Sequence, residues 1–260
     1  MARPSSATKA AIGTSLAGGA FSALSNAPLQ FGHLFRGRFP TVAVTGMTGV
    51  GKTRLADRLA RRASVDSTVD VGSATMERRT RKTAKGRGFR FRVVPGDNAA
   101  TRLSALDEVF HDDPVDGVLH VVAYGHATPR ANSTGGSSRE ELLSAELEDF
   151  AITAHRIASM AVRRDKPVWL VIVVTKTDLY GDDLDEAVRY YSPGSGSPFA
   201  DKLDELRSLA GGARLSVDVV PMYTEATAAT TGKEKRNAER GSTELLGRLE
   251  ARMAQLSGHV

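Results

Sequence analysis

Apolar residues fall along this chain in two rhythms. Short, nearly continuous runs rich in Val, Ile and Thr occur at 41–45 (TVAVT), 117–123 (GVLHVVA) and 168–175 (VWLVIVVT), with related runs at 87–94 and 215–220 (LSVDVV). Runs that are apolar on both faces suit strands covered by helices on both sides. One more strand is predicted over Met76–Lys82, paired with 87–94 through a turn around Gly86. Between the strands the apolar positions recur at spacings of three and four. Leu55 and Leu59 stripe one segment, and Leu103, Leu106 and Phe110 the next. Leu143, Leu147, Phe150, Ala154, Ile157 and Ala161 form a longer stripe, and Leu245, Leu249, Met253 and Leu256 a final one. These are amphipathic helices. The third opens with Ser138 and Glu141 in capping-box order. The stretches 131–138 (ANSTGGSS) and 192–198 (SPGSGSP) read as loops. Strands alternating with helices imply a three-layer α/β/α sandwich around a mostly parallel sheet with right-handed crossovers.

Composition adds boundaries. With 260 residues, 41% of them apolar, the chain supports one well-buried domain with decorations. That domain is expected over 39–258, after an N-terminal extension over 1–38 rich in Ala, Gly and Ser. The extension reads in three ways: a flexible arm or short packing helix, an interfacial helix using Ile12, Leu16, Phe21 and Leu24, or a secretory signal diluted by glycines. Cysteine is absent, which excludes a disulfide framework and any thiolate metal site and suits a reducing cytoplasm. No apolar run has the length of a membrane-spanning helix. The expected location is cytoplasmic, peripheral to a membrane where the extension binds one.

Chemistry enters at 46–53, GMTGVGKT, which matches G-x-x-x-x-G-K-[ST] between a strand and a helix. Glycines let the backbone turn tightly, so that successive N–H groups of Gly46, Met47, Thr48, Gly49, Val50 and Gly51 point at phosphate oxygens. The helix N-terminus favours the anion. Lys52 is expected on the β- and γ-phosphates, and the Thr53 hydroxyl on Mg²⁺.

At the end of the fourth apolar run stands TKTD, 175–178. It resembles the guanine-recognition motif [N/T]-K-x-D of Ras-like GTPases, the P-loop G domains. The resemblance implies a Ras-like α/β fold over roughly 40–256, with GTP or GDP and Mg²⁺ as ligands. It implies that Asp178 accepts hydrogen bonds from guanine, that Lys176 lies along the base and braces the phosphate loop, and that Thr175 stands for the commoner Asn. The segment 220–225 (VPMYTE) falls where the family's third base-contacting loop lies. Tyr223, Thr224 and Glu225 are candidates there by position, with Thr224 preferred.

The same resemblance makes Val93-Val94-Pro95-Gly96, 41 residues after Lys52, a variant of the second switch motif D-x-P-G. Val93 replaces the aspartate, and Gly96 keeps the backbone N–H for the γ-phosphate. Asp97 either supplies the missing carboxylate or positions water, or it caps the helix that follows. The first-switch threonine, a Mg²⁺ ligand, is expected at Thr75 among Thr68, Thr75, Thr80 and Thr83. With no glutamine after the glycine, GTP hydrolysis is expected to be slow unless a partner supplies an arginine.

Residues 78–92 hold Arg78, Arg79, Arg81, Lys82, Lys85, Arg87, Arg90 and Arg92 without one acid. Such a hairpin suits nucleic acid, anionic lipid or an acidic protein partner, or it is an edge strand kept soluble by charge. Phe89 and Phe91 are expected in the core, and so is His120 inside its strand. The histidines show no metal spacing, so the only metal expected is Mg²⁺. Three functions stand: a GTP/GDP switch with slow hydrolysis and a protein effector or activator, a pseudo-GTPase binding module working through the hairpin, and an ATP-using P-loop enzyme.

Overall fold

A computed structural model describes residues 39–60, 76–82, 88–96, 99–128, 138–223 and 232–258. Strands β1 (Thr41–Thr45), β2 (Glu77–Lys82), β3 (Gly88–Val93), β4 (Gly117–Val122), β5 (Val168–Val174) and β6 (Leu215–Pro221) form one sheet in the order β2-β3-β1-β4-β5-β6. Only β2 runs antiparallel, hairpinned to β3 at the edge; every other pair is parallel. The helices are α1 (Lys52–Leu59), α2 (Ala99–Asp107), α3 (Arg139–Arg163), α4 (Leu184–Tyr190), α5 (Pro198–Ala210) and α6 (Gly232–Leu256). The fold class is the expected one, α/β with a mostly parallel sheet between two helical layers.

Side-chain alternation explains why the strands are apolar throughout. In β5, Val168, Leu170, Ile172 and Val174 join a core cluster with Leu106 of α2, Phe150 and Ile157 of α3 and Leu203 of α5. Trp169, Val171 and Val173 join the opposite cluster with Leu55 and Leu59 of α1 and Leu249 and Met253 of α6. Successive residues of a strand face opposite sides, so a sheet covered on both faces needs apolar residues at both parities. In β5, as in β1 and β4, which are also buried on both faces, the sequence therefore loses its period of two. The α3 capping box is present: Ser138 Oγ accepts from Glu141 N at 3.2 Å and Glu141 Oε2 from Ser138 N at 2.9 Å.

Two helices lie where no apolar stripe was read. α4 is short and buries only Ala187. α5 begins within the presumed loop 192–198: Ser197 caps it, Oγ accepting from Ala200 N at 3.0 Å, and Pro198 occupies its first turn. Proline lacks only an N–H that has no partner there. Leu103, expected on the buried stripe of α2, is 40% exposed. Among the described residues no helix is long and apolar enough to cross a membrane.

Candidate functional site

All parallel strands end on one side of the sheet, where ligands bind in open α/β folds. From β1 the chain enters the glycine loop with φ of 128° at Gly46, 79° at Gly49 and 93° at Gly51. Gly49 is constrained twice. Its φ is one that residues with a Cβ rarely adopt, and a Cβ there would overlap the Thr128 carbonyl. Thr128 N donates to Gly49 O at 3.1 Å, so a loop from the end of β4 lies directly on the glycine loop. Lys52, the first residue of α1, is buried and folds back on its own loop: Nζ donates to Gly46 O and to Met47 O, each at 2.8 Å. Met47, Thr48 and Thr53 are half-buried and Val50 is buried.

The end of β5 meets this loop. The Thr175 hydroxyl lies 2.7 Å from Val50 O and 2.8 Å from Val122 O, fully buried. Lys176 sits at φ 58°, and Nζ donates to His126 O at 2.9 Å and to Thr128 Oγ1 at 2.6 Å. Through the 126–128 segment, which in turn bonds Gly49, Lys176 is linked to the phosphate loop. Asp178 is exposed. Tyr180 donates to Thr175 O and its ring stacks on His126, centroids 4.9 Å apart. Burial drives the Tyr180 phenol upward, so it remains a donor at neutral pH.

Gly96 stands against the same loop. A Cβ there would lie 2.6 Å from Thr48 Oγ1, 2.7 Å from Lys52 Nζ and 2.8 Å from Thr48 N. The approach of the 93–96 segment to the phosphate loop thus requires glycine at its tip. Val94 N donates to Val44 O at 2.9 Å, which extends the β1–β3 ladder to this point. Val93 is buried in the α1–α6 core cluster with Val44, Leu55 and Phe91. A carboxylate in its place would enter an apolar environment. Asp97, Thr75 and Thr224 lie outside the described residues, so three of the expected site residues have no geometry here. Tyr223, at the exit of β6, is tied down from behind: its carbonyl accepts from Ser242 Oγ at 2.8 Å, and Ser242 Oγ accepts from Arg58 Nη1 at 2.7 Å.

Sequence reasoning missed the loop after β4 entirely as part of the site. Ala123 to Thr128 carries two consecutive left-handed residues, Tyr124 at φ 49° and Gly125 at φ 74°. Gly125 is the only local signal that could have marked it. His120 is packed inside its strand as expected, but its partner there was not read from the sequence. Thr45 and His120 are register partners on β1 and β4 and share the face toward α3. Thr45 Oγ1 and His120 Nδ1 are 3.0 Å apart, and the imidazole meets Phe150 edge-on at 4.9 Å. Burial, helped by the Arg102 and Lys52 cations, pulls His120 down to about 3, so the ring is neutral at physiological pH. Arg102 Nη2 of α2 lies 2.5 Å from Asp149 Oδ1 of α3. Burial pushes the Asp149 carboxyl up, against the pull of that guanidinium and of Lys52.

The basic hairpin is less bare than its sequence. Arg78 pairs with Glu108 at 2.9 Å, Arg79 with Asp57 at 2.7 Å and Glu77 at 2.5 Å, and Arg92 with Asp113. These acids come from α1, from the turn after α2 and from β2 itself. Arg90 is exposed, while Phe89 and Phe91 are buried.

A glycine loop between β1 and α1, in a six-stranded, mostly parallel sheet with one antiparallel edge, fits the P-loop G-domain fold. No protein-family model and no curated protein matches the chain. Among solved structures it is similar to the signal recognition particle receptor SRb-GTP/SRX complex from Chaetomium thermophilum, at 14% identity over 73% of this chain and 95% of that one, TM-score 0.44. It is similar also to SRb-GDP from the same organism, at 15% identity over 81% and 97%, TM-score 0.44. At those values the class stands on the sheet and the loop, and not on these likenesses.

Proposed function

We propose that the chain binds GTP and GDP at the ends of β1, β4 and β5 and works as a nucleotide-dependent switch with slow intrinsic hydrolysis. The observation that carries this reading is the bond from Thr175 Oγ1 to Val50 O at 2.7 Å. It holds the TKTD segment, the candidate base reader, against the candidate phosphate loop. The positive φ angles of Gly46, Gly49 and Gly51 let the loop turn tightly, which suits an anion held by backbone N–H groups. When nucleotide is bound, Lys52 exchanges its loop carbonyls for phosphate oxygens, and Asp178 accepts from the guanine edge. Bound GTP supplies the phosphoryl group for hydrolysis; the chain's part is to position it. Thr53 is the described side chain assigned to Mg²⁺, with Thr75 and Asp97 as further candidates. Among the described residues no cluster of three or more His, Asp or Glu could hold the ion, so it would lean on the nucleotide's own oxygens. Gly96 is the γ-phosphate sensor in this scheme. Its segment follows the phosphate loop when GTP is present and withdraws on hydrolysis.

A second reading has one observation in its favour. Val93 is buried in apolar surroundings where a switch carboxylate belongs, which suits a pseudo-GTPase that holds nucleotide without turning it over. In that reading a protein partner meets the β2–β3 edge, whose arginines are in part already paired. An ATP-using enzyme is the weakest candidate, because Asp178 offers an acceptor pair to guanine and not to adenine.

Calorimetric titration of nucleotide-free protein with GTP, GDP and ATP, with and without Mg²⁺, separates the three. Tight Mg²⁺-dependent binding of GTP and GDP, weakened about 100-fold or more in Asp178→Ala by the loss of two charge-assisted hydrogen bonds, supports the switch. Binding indifferent to Mg²⁺, without phosphate release, supports the pseudo-GTPase. Preference for ATP overturns the guanine assignment.

A further inference from the structure

The loop after β4 is gripped from beneath by one carboxyl and one phenol. Glu146, in the N-terminal half of α3, is 1% exposed. Its Oε1 accepts from Ala123 N at 3.0 Å and from Gly125 N at 3.4 Å. Tyr191, just beyond α4 and fully buried, donates its hydroxyl to Glu146 Oε2 and accepts from Tyr124 N at 3.1 Å. Three successive amides, 123 to 125, thus end on two side chains, one on α3 and one just past α4, that lie 21 to 67 residues away in the chain. The grip falls where the backbone is left-handed at Tyr124 and Gly125. A tyrosine seldom adopts that conformation unless its surroundings impose it.

What the grip holds is the seat of Lys176 and Gly49. Directly after the turn, His126 O and Thr128 Oγ1 receive the Lys176 ammonium, and Thr128 N bonds Gly49 O. Ala123 O accepts from His126 N at 2.9 Å, which closes the turn between the gripped amides and the seat. The Lys176 side chain and the backbone of the glycine loop therefore both rest on one short loop, and that loop rests on Glu146 and Tyr191.

Resting on the guanine-nucleotide reading above, we infer that Glu146 and Tyr191 are positioning residues of the nucleotide site, acting through the 123–128 loop on Lys176. Neither touches the ligand. Their effect on affinity passes through the lysine, and this separates them from residues that only stabilise the fold.

The test is the affinity of the full chain for a fluorescent N-methylanthraniloyl-GDP, measured for the wild type, Tyr191→Phe, Lys176→Ala and the double variant. Tyr191→Phe keeps the ring that packs on Phe199 at 4.8 Å and removes only the hydroxyl. It is expected to weaken binding about tenfold, as one buried amide loses its acceptor. Lys176→Ala is expected to weaken it by at least as much. The double variant should bind about as poorly as Lys176→Ala alone, because Tyr191 acts through that residue. At Glu146, Gln retains an acceptor oxygen for the amides and should stay within about threefold of the wild type, whereas Leu should match Tyr191→Phe. Wild-type affinity in Tyr191→Phe overturns the inference, as do losses that multiply in the double variant. So does a Glu146→Gln that binds no better than Glu146→Leu. If the wild type itself binds no guanine nucleotide, the guanine reading falls and this inference with it; if it binds and the variants match it, only the inference falls.

Discussion

Acid should loosen this protein through His120, and the size of the effect follows from the burial of one ring. The imidazole is 1% exposed, bonded to Thr45 and packed on Phe150. Protonating it in place would set a charge in the core beside Arg102 and Lys52, which holds the folded value near 3 against 6.5 in the free chain. As pH falls below 6.5 the unfolded chain takes up this proton while the folded one does not. Stability is fully present above 6.5 and declines at about 1.4 kcal/mol per pH unit toward pH 3. By pH 4.5 the loss from this group is roughly 3 kcal/mol, a large part of what a domain possesses. Other groups titrate in the same range, so the reading is taken as a difference between the wild type and His120→Gln. Urea unfolding followed through Trp169, the one tryptophan and 3% exposed, reports both proteins. At pH 7 the variant should be weaker by about 1–3 kcal/mol through lost packing. On acidification to pH 4.5 that gap should close by roughly 3 kcal/mol and reverse in favour of the variant at the larger gap closures. A gap that stays constant from pH 7 to 4.5 would refute the argument, since it would mean that the folded ring takes up its proton as easily as a free one.

Other outcomes follow from the same structure. Glu146 works in the opposite sense: burial pushes its carboxyl up to about 7, so the folded chain holds a proton that the unfolded chain has already released. The stability it lends is present below 4.5 and is lost, by roughly 3 kcal/mol, as pH rises to about 7; Glu146→Gln should flatten that limb of the pH–stability curve. Gly49→Ala forces a left-handed φ on alanine and drives its methyl into Thr128, so nucleotide affinity, read by calorimetry, should fall by more than about tenfold. Gly117→Ala places a methyl inside the Trp169 indole; it should cost about 1–3 kcal/mol in urea unfolding and shift the tryptophan emission, while unchanged emission would show that the strand can yield.

The elements were legible because their signals are local. Strand β5 declares itself in seven consecutive apolar residues, and α3 in a stripe with its cap. The glycine loop is legible for a related reason, since its conformation, its strand and its helix occupy a few contiguous positions. α4 and α5 were not legible. The first buries one small side chain, and the second starts on a Ser-Pro pair that reads equally well as a turn.

The site divides in the same way. Residues 46–53 and 175–178 were nameable from the chain alone, but their joining is a bond between residues 125 positions apart, which no local pattern encodes. Tertiary structure alone made the loop after β4 the seat of Lys176, with Glu146 and Tyr191 beneath it. It also gave the arginines of β2 and β3 their acids from α1 and from the turns beyond α2. The physical reason is the range of the forces. Periodicity and turn preference are set by neighbours in sequence, whereas a hydrogen bond or an ion pair depends on which side chains the finished sheet order brings within about 3 Å.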